Sequence, residues 1–139
     1  MMISEGDIWN YPYLWRWQDN RGETEGRKSR PCALAIKAVL SPTQTRLFFL
    51  AITSKAPDQN KSALLIPDTE RHRAHLSREM KLWIILDEIN VDILEESFYL
   101  EPDAKIGSFS PAFLKTIKSN LLVLLKKAKI KSVRRTDVD

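Results

Sequence analysis

The chain has 139 residues, 43% of them hydrophobic and 29% charged, with a net charge of +4 and an isoelectric point near 9.3. That size and balance predict one globular domain with a real core, and they exclude both a disordered polyelectrolyte and a disulfide-stapled mini-protein. The lone Cys32 cannot form an internal disulfide or a cysteine-cluster metal site, and the mild basicity suits a polyanionic partner.

The opening "MMISEGDIW" has no basic segment leading into an apolar run, so no secretory signal is expected. Runs such as "LFFLAI" are far too short to span a bilayer. A cytoplasmic, membrane-free protein is the expectation. "DIWNYPYLW" is aromatic-rich and reads as a first strand, placed at an edge or strand end by Pro12. Residues 18–30, "QDNRGETEGRKSR", carry Gly22 and Gly26 and almost no apolar side chain, which predicts a long exposed loop. Loops of that length in compact domains are often functional.

Residues 31–40, "PCALAIKAVL", predict a second strand; "SPTQ" is a turn signal, and residues 45–54, "TRLFFLAITS", predict its hairpin partner. "ALLIP" reads as a short fourth strand and "DTERHRAHLSREMK" as irregular with a helical turn. "LWIILDEINVDIL" predicts a fifth strand running on into an extended segment, and "FYLEP" one more short strand. Ser110 followed by Pro111 is a strong helix start. Phe113, Leu114, Ile117, Leu121, Leu124, Leu125 and Ala128 then share one helical face. Residues 1–130 are taken as the domain and 131–139 as a basic, frayed tail. The Lys126 and Arg135 charges read as a solvated helix end. Together these elements predict a mainly β fold with helices: a small antiparallel barrel with an amphipathic C-terminal helix packed on it.

His72 and His75 are the only histidines, with no cysteine near them, and they read as surface polar residues rather than a metal site. There is no nucleophile elbow and no glycine-rich phosphate cradle. Metal-free RNA cleavage fits the residues better. It needs a base for the 2′-OH, an acid for the leaving oxygen, and donors for the phosphoryl oxygens. Arg30, at the loop-to-strand junction, suits the last role through its rigid, permanently charged fork. Thr53 and Ser54 end the hairpin partner, so Arg30 and Thr53 can meet at one sheet edge. The plainer reading of Arg30 is a strand-end ion pair with Glu23 or Glu25, and that of Thr53 is a hydroxyl satisfying a turn. Trp9, Trp15 and Trp17 with Tyr11 and Tyr13 alternate along one strand; the stripe can stack bases, but core or interface is its commoner use.

"GDIW", a polar loop ending "GRKSRP", the strand "CALAI", then "FFLAITS" and "LDEINV" resemble, in order and spacing, the MazF/PemK (Kid) toxins of type II toxin–antitoxin systems. The resemblance covers roughly Gly6 to Leu125. It implies an SH3-like barrel of the CcdB/MazF kind, a homodimer, and a cofactor-free endoribonuclease acting on single-stranded mRNA. It also implies a cognate antitoxin docking over the RNA site. Arg30 matches the arginine of the family's "R-P" motif, Thr53 and Ser54 its "T-S", and Glu23 a first-loop glutamate. Asp87 matches an aspartate that some members pair with an arginine two positions earlier; that position is Ile85 here, so the pair lacks its cation. The expected catalytic set is therefore Arg30, Thr53, Glu23 and Asp87. Ser54, Arg27, Lys28, Lys55, Arg71 and Arg73 are expected to contact RNA, with Arg71, Arg73, His72 or His75 as the stand-in for the missing arginine. The gap at Ile85 leaves two alternatives: a non-catalytic gyrase-binding toxin of the CcdB kind, and an SH3-like RNA-binding or interaction module.

Overall fold

In the computed structural model, which describes residues 2–24, 28–59, 61–97 and 99–136, the two apolar runs form the central hairpin. Strand β2 (Arg30–Ser41) and strand β3 (Gln44–Thr53) pair antiparallel, with Cys32 opposite Ala51 and Leu34 opposite Phe49. Both strands are apolar on both faces because both faces are covered. Ala33, Ala35, Leu50 and Ile52 enter one core, under Ile66, Ala74 and the helical side chains Phe113, Ile117 and Leu121. Cys32, Leu34, Leu47, Phe49 and Ala51 enter a second, under Trp9, Tyr11, Tyr13 and Leu100. Tyr11 stacks on Phe49 with ring centroids 4.4 Å apart.

Strand β1 (Asp7–Tyr11) is not an edge: it lies between β2 and β7 (Lys105–Ser108), and Pro12 falls just past its end, where no ladder donor is lost. The strand expected at "FYLEP" is absent from the described residues there; Lys105–Ser108 takes that place. The single strand expected at "LWIILDEINVDIL" divides. Strand β5 (Trp83–Ile85) pairs with the end of β3 and with β4 (Ala63–Leu65), whereas β6 (Glu88–Ile93) pairs with the start of β3. Between them the backbone turns to other partners: Leu86 N donates to Ser62 O, and Asp87 O accepts from Lys131 N, each at 2.9 Å.

Three α-helices complete the described residues. Helix α1 (Arg16–Asn20) occupies the start of what the sequence suggested was loop, closed by Trp15 N donating to Gln18 Oε1 at 3.0 Å. Helix α2 (Asp68–Arg73) is tied to α3 (Pro111–Lys126) by Glu70, whose carboxylate accepts from Ser110 N and Ser110 Oγ, each at 2.8 Å. Ser110 Oγ in turn accepts from Phe113 N, the expected cap. The buried helical stripe is narrower than its pattern: Leu125 is exposed, and Ala128 lies beyond the helix in a left-handed conformation.

The C-terminal segment corrects the expectation of a frayed tail. Residues Lys131–Arg134 form β8, parallel to β6, with Ile89 opposite Ser132 and Asn90 opposite Val133. Val133 and Arg135 are buried. Arg135 is therefore not a solvated helix end. Its guanidinium donates to Pro12 O, to Thr24 O at 3.2 Å and to Asn90 Oδ1 at 3.4 Å, over the Tyr99 ring at 4.0 Å. The result is a mainly antiparallel eight-stranded sheet with helices, in which β4, β7 and β8 each have one paired neighbour among the described residues. Among those residues no helix is long and apolar enough to cross a membrane.

A polar seam fixes the segment that leads to the site. Strand β6 turns Glu88, Asn90 and Asp92 inward. Tyr11 OH donates to Asp92 at 2.7 Å and Tyr13 OH to Glu88 at 2.9 Å, while Asn90 both accepts from Leu14 N and donates to Leu14 O at 2.8 Å. Two stability tests follow. Arg135→Ala leaves Asn90 and two carbonyls short of a donor, so unfolding free energy falls by about 1–3 kcal/mol in a denaturant titration; a frayed tail would show no change. Gly107→Ala places a Cβ 2.5 Å from Ala74 O, and the same titration reads a loss of about 1–3 kcal/mol.

Candidate functional site

Arg30 opens β2 opposite Tyr11, and the β2–β3 register carried past Cys32 and Ala51 sets it beside Thr53. Both line a cleft of about 300 Å³, with Trp15, Trp17, Lys55, Lys61 and Ile85. The guanidinium lies 5.1 Å from the Trp15 ring centroid, and Lys61 Nζ lies 5.6 Å from the same ring. One tryptophan thus holds two cations at the cleft wall. Arg30 Nε is buried with no hydrogen-bond partner. A desolvated donor of that kind costs free energy until an acceptor reaches it. Thr53 Oγ1 accepts from Lys55 N at 3.1 Å, a bond that leaves its hydroxyl hydrogen for a ligand oxygen.

Asp87 faces a second cleft of about 360 Å³, lined also by Arg16, Glu88 and Lys131. The two clefts share Trp17, Asp58 and Lys61 and so are lobes of one groove. Asp87 Oδ1 is buried without a partner. Burial pushes the Glu88 carboxyl above the usual carboxylate range; the Asp87 charge adds to this, and the Tyr13 hydroxyl opposes it.

Other expected residues lie elsewhere. Glu23 lines a separate hollow with Asp19, Tyr99 and Arg134, not the Arg30 cleft. Arg71 is buried on α2 and donates to Ser77 O, Met80 O and Asp68, so it pins residues 68–80 instead of offering its charge to a ligand. Arg73, Lys28 and Ser54 are exposed but do not line either lobe. Arg27 lies outside the described residues. His75 Nδ1 sits 3.2 Å from Ile106 O, at the contact between α2 and β7. Among the described residues no three His, Cys, Asp or Glu side chains gather as a metal group.

Sequence reasoning missed Lys61, Arg16 and Lys131, which come from three unrelated segments, and it read Trp15 and Trp17 as one strand stripe with Trp9. In fact Trp9, Tyr11 and Tyr13 are core, while Trp15 and Trp17 leave the strand and flank the groove. The signal available was that polar neighbours surround Trp17, unlike Trp9. No protein-family model matches the chain, and no curated protein sequence matches it.

The raised Glu88 value gives a pH test. The folded state holds that proton to higher pH than the unfolded chain, whose carboxyl titrates near 4.5. Wild-type stability therefore carries a contribution present below that value and lost as pH rises through the folded value. Glu88→Gln still accepts from Tyr13 but cannot titrate. Denaturation midpoints measured from pH 4 to 7 should show the wild type declining relative to Glu88→Gln; parallel curves would exclude the shift.

Proposed function

We propose that this protein is the toxin of a type II toxin–antitoxin module: a metal-independent, sequence-specific endoribonuclease of the MazF/PemK kind on an SH3-like barrel. The observation that carries the reading is the meeting of Arg30 and Thr53 at one cleft, with a buried guanidinium N–H that lacks an acceptor. The β2–β3 hairpin, whose second strand β3 pairs with β5 at one end and β6 at the other, supports the barrel.

In this mechanism Arg30 and Thr53 donate to the phosphoryl oxygens as charge builds there. A base takes the proton of the 2′-OH, the 2′-oxygen bonds to phosphorus, and the bond from phosphorus to the 5′-oxygen breaks as that oxygen gains a proton. The products are a 2′,3′-cyclic phosphate and a 5′-hydroxyl. Asp87, in the lobe that adjoins the Arg30 cleft, is assigned the 2′-OH proton, and water protonates the leaving 5′-oxygen; Glu23 lines a hollow that does not adjoin it. A homodimer in the cytoplasm, neutralised by an antitoxin whose acidic segment covers the basic cleft, completes the reading.

One observation favours a second reading. Ile85 lines the Arg30 cleft, where a cation would complete the family's aspartate–arginine pair. An apolar wall there suits a non-catalytic binder, either a CcdB-like gyrase poison or an RNA-binding module. The test is cleavage of single-stranded RNA in EDTA by purified protein. The expected products carry 2′,3′-cyclic phosphate ends, and Arg30→Ala lowers the rate by about 10²–10³-fold. Unimpaired cutting by the variant removes Arg30 from the mechanism, and intact RNA with gyrase recovered in a pull-down selects the second reading.

A further inference from the structure

Trp17 is 46% exposed on a one-turn helix, an unusual place for the largest side chain. It lines both lobes of the groove and stands where they join. The Arg21 guanidinium lies 5.2 Å from its ring centroid. Arg30 and Lys55 line one lobe, Arg16 and Lys131 line the other, and Lys61 lines both. These cations outnumber the carboxylates of Asp58, Asp87 and Glu88, and the Glu88 carboxylate is engaged by Tyr13. Arg16 is itself steadied by donating to Ser132 O at 3.0 Å, which ties α1 to β8.

A flat ring between two cationic hollows matches one ligand chemistry closely. Single-stranded nucleic acid alternates flat bases with phosphates, and every base offers a face to stack on. A duplex hides those faces in its own stack. An acidic peptide would use the cations but has no need of the ring. We propose that the two lobes form one path for a single strand, with an unpaired base stacked on Trp17 and its flanking phosphates held by Arg30 and Lys55 in one lobe and by Arg16 and Lys131 in the other, with Lys61 serving both. The proposal rests on the reading of the cleft as an RNA site and deepens it: the strand extends past the reacting phosphate, across Trp17, to the edge of β8.

The experiment measures binding of a labelled, 2′-deoxy single-stranded oligonucleotide, which cannot be cut by 2′-OH attack, to the full chain by fluorescence anisotropy. Trp17→Ala should weaken binding about tenfold or more, whereas Trp17→Phe, which keeps a ring, should stay close to wild type. Lys131→Ala should lower the slope of log affinity against log salt by roughly 0.7. A hairpin duplex of the same sequence should bind at least about tenfold more weakly than the single strand. Unfolding midpoints of the variants report whether each is folded, and the Phe variant and Lys131→Ala keep the test decisive if Trp17→Ala is not. Wild-type affinity in Trp17→Ala, equal binding of the duplex, or full displacement by polyglutamate irrespective of Trp17 would each overturn the proposal. Cutting of RNA with no Trp17 effect on binding defeats this inference alone. Trp17-dependent binding with no cutting of any RNA defeats the endoribonuclease reading alone.

Discussion

The structure depends on a polar seam inside a core. Glu88, Asn90 and Asp92 project from β6 into the same space as Tyr11, Tyr13 and Leu14, and Arg135 closes it from the C-terminal side. Each such bond is worth about 1 kcal/mol net, but leaving one of these buried groups unpaired costs about 1–3 kcal/mol. The seam is therefore close to all-or-none. Asp92 shows the principle: its carboxylate accepts from Tyr11 OH, Ser97 Oγ, Ile93 N and Thr136 Oγ1, so a charge deep in the molecule is answered from four directions. Any register other than the observed one would strand it.

The seam also builds the site. Asn90 clasps both backbone groups of Leu14, so Trp15 leaves the core at a fixed point. Tyr11, held by Asp92 and stacked on Phe49, is the register partner of Arg30. The ring and the guanidinium that face each other at 5.1 Å are thus placed by the same set of buried bonds. Arg30 is thus fixed by its strand, and Trp15, just outside β1, gains rigidity from the seam.

How much of this could be read in the sequence follows from where the determining contacts lie. The β2–β3 hairpin was legible because two apolar runs and a turn are adjacent in the chain, and α3 because Ser110 and Pro111 signal locally. Arg30 and Thr53 were legible as a pair for the same reason: a hairpin's register is a local property. Strand β8 was not legible. Its one buried apolar side chain is Val133, and Arg135 is stabilised by carbonyls of Pro12 and Thr24 more than a hundred positions earlier in the chain. Strand β6 misleads by pattern: its alternation suggests Ile89 and Val91 as the inward face, yet Glu88, Asn90 and Asp92 are the more buried set because their partners are inside. Charge in the sequence was read as solvent exposure, and for Arg71 as well as Arg135 that inference fails for one reason. A guanidinium has five donors, and several backbone carbonyls can satisfy them in the interior.

The break between β5 and β6 bears on how the groove divides its chemistry. Had the run "LWIILDEINVDIL" stayed one strand, Ile85 and Asp87 would share a face and both would line the Arg30 cleft. Instead Leu86 and Asp87 give their backbone groups to Ser62 and Lys131, and the chain steps from one lobe to the next. Ile85 is left in the Arg30 lobe, and Asp87 lines the other lobe with Arg16 and Lys131, Trp17 being common to both. Arg30 with Thr53 and the buried, unpartnered Asp87 Oδ1 thereby line different lobes. A ligand confined to the Arg30 lobe meets Arg30, Thr53, Lys55, Lys61 and Asp58 but not Asp87. A strand laid across Trp17 brings its own hydroxyls and phosphates to both. On the proposed reading, proton transfer by Asp87 requires a ligand that spans both lobes, so the length of single strand bound would be part of the chemistry instead of an accessory to it.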